Sequence, residues 1–130
     1  MNKFSNKSKR LLKTCHQDLQ DLFNEVIKYC DCKIIEGFRS PERQDELFDQ
    51  ERTKLKGGES KHNVKPSLAV DVVPYPVDWN NKDRFYYFGG LVKGIASQMN
   101  LNIRWGGDWD GDNNFKDQTF HDLPHFELKK

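Results

Sequence analysis

The chain has 130 residues, 35% of them hydrophobic and 32% charged, the size and balance of one globular domain able to hold a core without staples. Its 21 Lys and Arg against 20 Asp and Glu leave a formal net charge of +1, which argues against a dedicated nucleic-acid binder, and no apolar run approaches the roughly 18 residues that span a bilayer. No apolar stretch follows the basic N-terminus, so no secretory signal is expected, and Cys15, Cys30 and Cys32 read as free thiols of a chain made in a reducing compartment.

From Leu12, apolar residues recur at three- and four-residue spacing through Cys15, Leu19, Leu22, Phe23 and Val26, which predicts one first helix capped by Ser5 or Ser8. Lys13, Asp18, Asp21 and Lys28 form its solvated face. Lys3, Lys7, Lys9, Arg10 and Lys13 stand with no acid among them. They are either the soluble start of that helix or a patch drawn to anionic lipid or cell-wall polymer. Cys32 to Phe38 reads as a short strand that buries Ile34 and Ile35 and ends at Gly37. Ser40-Pro41-Glu42 then opens a second helix, with Ser at the N-cap, Pro in the first turn and an acid behind it. Leu47, Phe48 and Leu55 belong to this helix, and Gly57-Gly58 stops it. Leu68 to Val73 is an apolar run broken by one carboxylate, read as a buried strand ended by Pro74. Asn80 or Asn81 begins a third helix with the apolar face Phe85, Phe88, Leu91, Val92, Ile95 and Met99. Leu101 to Trp105 is a strand, Gly106 to Asp117 a Gly- and Asp-rich loop, and His125 to Leu128 a last short strand. The order αβαβαββ predicts an α+β fold, three helices packed on a small, mostly antiparallel sheet, with residues 1–130 as one domain.

Asp71 interrupts Leu-Ala-Val-x-Val-Val, where a buried charge must be paired or bound to metal. One reading is a hydrogen-bonded structural Asp that anchors the following Pro-Tyr-Pro turn. The other takes in His62, nine positions earlier, and His125. Two neutral imidazoles and a carboxylate suit tetrahedral Zn²⁺ with one open position, where a water would have its pKa brought near 7. Asp122, three residues before His125, is the candidate base. His121 is a competing ligand, but Pro124 lies inside the 121–125 interval and disfavours a shared helix face there. His16 and the Cys30-x-Cys32 pair lack the partners of a metal site. In the late loop Asp108, Asp110, Asp112 and Asn114 alternate like the first ligands of a calcium loop. Thr119 stands at the twelfth position in place of Glu, and Gly111 is offset from the expected glycine, so a solvated acidic loop and a weak Ca²⁺ site both stay open.

Four segments carry a family resemblance. Ile35-Glu36-Gly37-Phe38-Arg39-Ser40, Ser60-Lys61-His62, Ala69 to Pro74, and Asp122 to Leu128 occur in an order that resembles zinc peptidases of the D-alanyl-D-alanine carboxypeptidase type. Within that type they are most similar to phage endolysins that cut the L-alanyl-D-glutamate bond of peptidoglycan. Trp105-Gly106-Gly107-Asp108-Trp109 looks like the tryptophan-bearing loop of these endolysins. The resemblance implies His62, Asp71 and His125 as zinc ligands and Asp122 as general base and acid, where many relatives have Glu. It implies Arg39 on the substrate carbonyl or developing oxyanion, and Ser60 on the substrate backbone or carboxylate. Glu127 shares a strand face with His125 and would orient that ligand, unless it simply faces solvent. The interval 63–70 is two residues longer than in many members, which alters one rim of the cleft.

The resulting expectation is a single-domain zinc endolysin acting on the peptidoglycan stem peptide, a monomer, with no nucleic-acid partner and no stable membrane insertion. It would be made in the host cytoplasm, reach the periplasm and wall through holin lesions, and carry no wall-binding module. The alternatives are a D,D-carboxypeptidase or dipeptidase on the same fold, or a non-catalytic zinc module that only binds peptidoglycan.

Overall fold

A computed structural model describes residues 2–50, 57–58, 60–114 and 122–129. The elements are α1 (Asn6–Leu12), α2 (Gln17–Val26), β1 (Cys32–Glu36), α3 (Pro41–Asp49), a 3₁₀ turn (Lys61–Asn63), β2 (Ala69–Pro74), α4 (Lys82–Gln98), β3 (Ile103–Gly106) and β4 (Asp122–Leu128). The strands form one sheet in the order β1-β2-β4-β3, with every neighbouring pair antiparallel. The α+β class holds, with four α-helices where the periodicity predicts three.

The extra helix comes from a break in the first one. Thr14 to His16 leaves the helical path to pair with the segment before β2: His16 N–H donates to Ser67 O at 2.8 Å and Ser67 N–H to Thr14 O at 2.9 Å. Cys15 is bridged to Ser67, and His16 becomes the N-cap of α2, its Nδ1 accepting from Asp18 N–H. The apolar spacing runs through the break without a gap, because Leu12, Cys15 and Leu19 all enter the same core. Ser5 caps α1, while Ser8 is buried and accepts from Ile34 N–H at 3.1 Å.

The core lies between the helices and one sheet face. Leu19, Leu22, Phe23 and Val26 of α2, with Phe88, Val92 and Ala96 of α4, meet Ile34, Val70, Val72, Trp105 and Phe126. Trp105 stacks on Phe126 and donates its indole N–H to Leu123 O at 2.8 Å. Its ring lies where a Cβ at Gly89 would sit, so α4 approaches the sheet closely only because residue 89 has no side chain.

Other expectations are adjusted. Ile35 is 38% exposed, not buried, because the β1–β2 register slips between Ile34 and Glu36 and the extra residue turns outward. Ser40 caps α3 by accepting from Arg43 N–H, with Pro41 in the first turn, and Asn81 caps α4. β4 starts at Asp122, three residues ahead of the predicted start, and β3 spans Ile103–Gly106. Leu55, Asp117, Thr119 and His121 lie outside the described residues.

Candidate active site and metal centre

The sheet register assembles the site. Glu36 on β1 and His125 on β4 are both register partners of Asp71 on β2, so three polar residues form a row across three strands. The β1 bulge makes this possible, since it sets Glu36 opposite Asp71. Val70 and Val72, flanking Asp71, join the core, and Asp71 points from the other face.

His62 reaches the row from the 3₁₀ turn. Ser60 caps that turn: its hydroxyl accepts from His62 N–H at 3.1 Å, while Asn63 Oδ1 accepts from Ser60 N–H at 3.0 Å. Asn63 Nδ2 donates to Arg39 O and Arg39 N–H donates to His62 O, which ties the turn to the end of β1. Gly37 stands at the junction, packed so closely on Thr14 and the Leu11 carbonyl that a Cβ has no room.

The nitrogens that face inward follow from their partners. His62 Nδ1 lies 2.7 Å from Gly37 O, and a carbonyl only accepts, so Nδ1 carries hydrogen and Nε2 turns to Asp71 Oδ1 at 3.2 Å. His125 Nε2 lies 2.8 Å from Glu127 Oε1, which leaves Nδ1 at 3.3 Å from Asp71 Oδ1. His62, Asp71 and His125 thus offer one donor atom each, all within 4.8 Å of one another. In their neutral tautomers two nitrogen lone pairs and a carboxylate oxygen converge, an arrangement that needs a proton or a cation at its centre. The donor set of two imidazoles and a carboxylate fits Zn²⁺, with both imidazoles oriented from behind.

Electrostatics separate the carboxylates. Burial alone would raise Asp71, but the hydrogen bonds from His125 and His62 outweigh it and hold it well below the ordinary carboxylate range. Burial opposes charge on His125, yet Asp71 and Glu127 lift it to about 9. Burial likewise works against Glu127, and His125 and Arg104, followed by Lys61, bring it down to about 2. Arg104 Nη2 and Lys61 Nζ reach Glu127 Oε2 at 2.8 and 3.1 Å. Asp122 is different: burial and the nearby charge of Asp71 raise it, against the opposing pull of His125, His62 and Arg39. Its carboxylate lies 4.0 Å from His125 Nδ1 with the side chain 41% exposed.

Arg39 is clamped. Its Nε and Nη2 donate to the two Glu36 oxygens at 2.9 and 2.6 Å, and Nη1 donates to Gln44 Oε1 at 2.8 Å. Asp71 Oδ2 is 3.7 Å from Nη2. Burial opposes the guanidinium charge, but Glu36 prevails and keeps Arg39 above its usual value. Trp109 sets its ring 5.4 Å from that of His125, with the Arg104 guanidinium 5.9 Å from the indole.

The structure therefore brings together His62, Asp71, His125, Asp122, Arg39 and Glu127, with Ser60 immediately behind His62. Glu36, Gln44, Lys61 and Arg104 went without roles in the sequence. Glu36 lies three residues before Arg39, a spacing that could have flagged it; buried Gln44 follows from α3, where Gln44 and Leu47 are buried together. The acidic loop also converges, with Asp108, Asp110 and Asp112 forming a second cluster. There Lys93 Nζ and Asn113 N–H already meet Asp108 Oδ2 at 3.1 and 2.9 Å, while Oδ1 is buried without a hydrogen-bond partner among the described residues.

A family profile described as phage L-alanyl-D-glutamate peptidase matches residues 1–129. The peptidoglycan L-alanyl-D-glutamate endopeptidase CwlK of Bacillus subtilis (strain 168) is 34% identical over 114 residues, covering 78% of this chain and 62% of CwlK, so the chain spans less than two thirds of that relative's length. Among solved structures, the Serratia marcescens L-Ala D-Glu endopeptidase ChiX superposes with a TM-score of 0.78 at 26% identity, over 98% of this chain and 91% of ChiX. The D,D-pentapeptidase VanY, solved with Zn(II), shares the fold at a TM-score of 0.52 and 16% identity, over 86% of this chain and 68% of VanY. The row of ligand-type side chains on this sheet, the profile that spans nearly the whole chain and the CwlK identity agree, and the chain belongs to the phage L-alanyl-D-glutamate peptidase family.

Proposed function

We propose that the protein is a zinc-dependent endopeptidase that cleaves the L-alanyl-D-glutamate bond of the peptidoglycan stem peptide. The observation that carries this reading is the convergence of His62 Nε2, His125 Nδ1 and Asp71 Oδ1, with Asp122 and Arg39 beside them. Bound by those three atoms, zinc supplies Lewis-acid polarisation of a peptide carbonyl and lowers the pKa of a water. Asp122, whose carboxyl is raised above its ordinary value by burial and by Asp71, takes the proton of the attacking water and returns it to the leaving amine nitrogen. Three of the five donors of Arg39 are held by Glu36 and Gln44. The two that are left hydrogen-bond the carbonyl oxygen as negative charge grows on it. Glu127 keeps hydrogen on His125 Nε2, and Ser60 fixes the turn that carries His62 and contacts substrate backbone. The family's phage name supports a role in host lysis, with holin lesions giving a monomeric enzyme access from the host cytoplasm to the wall.

A carboxypeptidase needs a free terminal carboxylate and an endopeptidase does not. Stem peptides with amidated C-termini separate the two: the zinc-loaded protein is expected to cut them between L-alanine and D-glutamate. Cleavage only of free-carboxylate D-alanyl-D-alanine ends would select the carboxypeptidase alternative instead.

Asp108 Oδ1, buried and without a hydrogen-bond partner among the described residues, favours a second reading in which the acidic loop takes a weak Ca²⁺. Calorimetric titration is then expected to give heat at Ca²⁺ concentrations of roughly 0.1–1 mM, the range of weak sites. A flat trace there leaves Lys93 as the loop's counter-charge.

A further inference from the structure

Cations are unevenly paired over this molecule. Lys28, Lys61, Lys93, Arg43 and Arg104 each meet a carboxylate. Among the described residues, no carboxylate lies within ion-pair distance of Lys3, Lys7 or Lys33. These three lysines line one cavity of about 430 Å³, between the N-terminal arm and the start of β1. Asp31 is the single acid in its wall, and Tyr75, 52% exposed, also lines it. The walls are fixed on both sides. Phe4 is buried in the core, Asn2 Nδ2 donates to Ile27 O at 3.1 Å, and Tyr75 N–H donates to Asp31 O at 3.0 Å.

Three lysines in the wall of one concavity outnumber its single acid, so like charges repel there, and the candidate active site makes no use of them. An occupant that carries negative charge relieves that repulsion, and three point-charge donors suit a tetrahedral oxyanion better than a planar carboxylate. Tyr75 adds an amphipathic ring of the kind that settles where one end is apolar and the other wet. The cavity is separate from the peptidase site. Lys33 precedes Glu36 by three residues, about 10 Å along a strand, and the row of Glu36 and Asp71 at that end repels anions.

We propose that the Lys3–Lys7–Lys33 cavity binds phosphate, and that the phosphate it takes is the headgroup of an anionic lipid. The cavity thereby tethers the enzyme to a membrane surface while its peptidase site stays open to substrate. The inference is independent of the peptidase reading.

The test uses the full chain in two arms, phosphatidylglycerol–phosphatidylcholine vesicles followed by co-sedimentation, and inorganic phosphate alone followed by amide NMR shifts. Two variants of equal charge change are compared, K3Q/K7Q/K33Q in the cavity and K9Q/K13Q/K82Q outside it. The expected result is vesicle binding by the wild type and by the outer variant, its loss in the cavity variant, and phosphate shifts centred on Lys33 and Tyr75. Cleavage of a soluble peptide should be the same in all three proteins, which separates this proposal's failure from that of the enzymatic one. Equal loss in both variants, or no binding by the wild type, overturns the proposal. Phosphate shifts without vesicle binding overturn the lipid assignment.

Discussion

Asp71, Asp122 and Glu127 share one cluster, yet their surroundings drive them apart. Asp71 and Glu127 are held ionised by imidazoles and cations, while burial and a neighbouring negative charge push Asp122 up. Splitting carboxyl groups in this way is how one site keeps ligands anionic and a proton carrier available. Replacing Asp122 with Ala is therefore expected to lower kcat by roughly two to four decades with zinc content unchanged; wild-type turnover in that variant would remove Asp122 from the chemistry. Glu127→Gln leaves the shape and takes away the charge that orients His125. Zinc affinity, measured against a competing chelator, should fall by about 10- to 100-fold. The ligand-type residues were legible in the sequence because each is chemically conspicuous, Asp71 most of all in its apolar run. Glu36 and Gln44 were not, because their role is to fix Arg39, and that contact exists only once the β1 bulge and α3 are in place.

At the scale of elements, the break between α1 and α2 sets the site's geometry. Thr14 and Cys15 pack on Gly37, whose carbonyl orients His62, and pair with Ser67 at the entry to β2. Gly37→Ala forces a methyl group into Thr14 and the Leu11 carbonyl. A loss of about 1–3 kcal/mol, typical of overpacking, is expected in denaturant unfolding, together with weaker zinc binding. Cys15 provides a pH signature of the same junction. Burial is the main cause that raises its thiol from the ordinary 9.0 to about 11. The folded value lies above the unfolded one, so the stabilisation is complete below about pH 9 and drains as pH rises towards 11. Two units correspond to a loss on the order of 2–3 kcal/mol. Cys15→Ala should flatten this alkaline decline relative to wild type, and an unchanged slope would mean that the thiol is not responsible. The break itself was hidden in the sequence because core-facing residues keep helical spacing across it. Ile35 turns outward for a related reason: a bulge changes which face a residue takes without altering composition.

Over the whole molecule, a net charge of +1 conceals an uneven distribution of charge. Among the described residues, three lysines without an ion pair line the cavity beside α1 and the start of β1, and carboxylates gather where β1, β2 and β4 meet. Fold class and the order of strands and later helices could be read from periodicity, Gly and Pro, but the order β1-β2-β4-β3 and its registers could not, since pairing partners far apart in sequence leave no local trace. Because the proposed ligands come from the 3₁₀ turn, β2 and β4, a metal held by them would tie distant segments together. Zinc at about 100 times its Kd is expected to stabilise the fold by about 2.7 kcal/mol, seen as a rise in Tm that a chelator reverses. These segments together are proposed to form a zinc endopeptidase site for one bond of the stem peptide. Digestion of purified peptidoglycan with and without chelator, with mass spectrometry of the new termini, tests it most directly. New N-terminal D-glutamate that disappears on chelation is the predicted result; loss of terminal D-alanine alone, or cleavage indifferent to chelator, would contradict it.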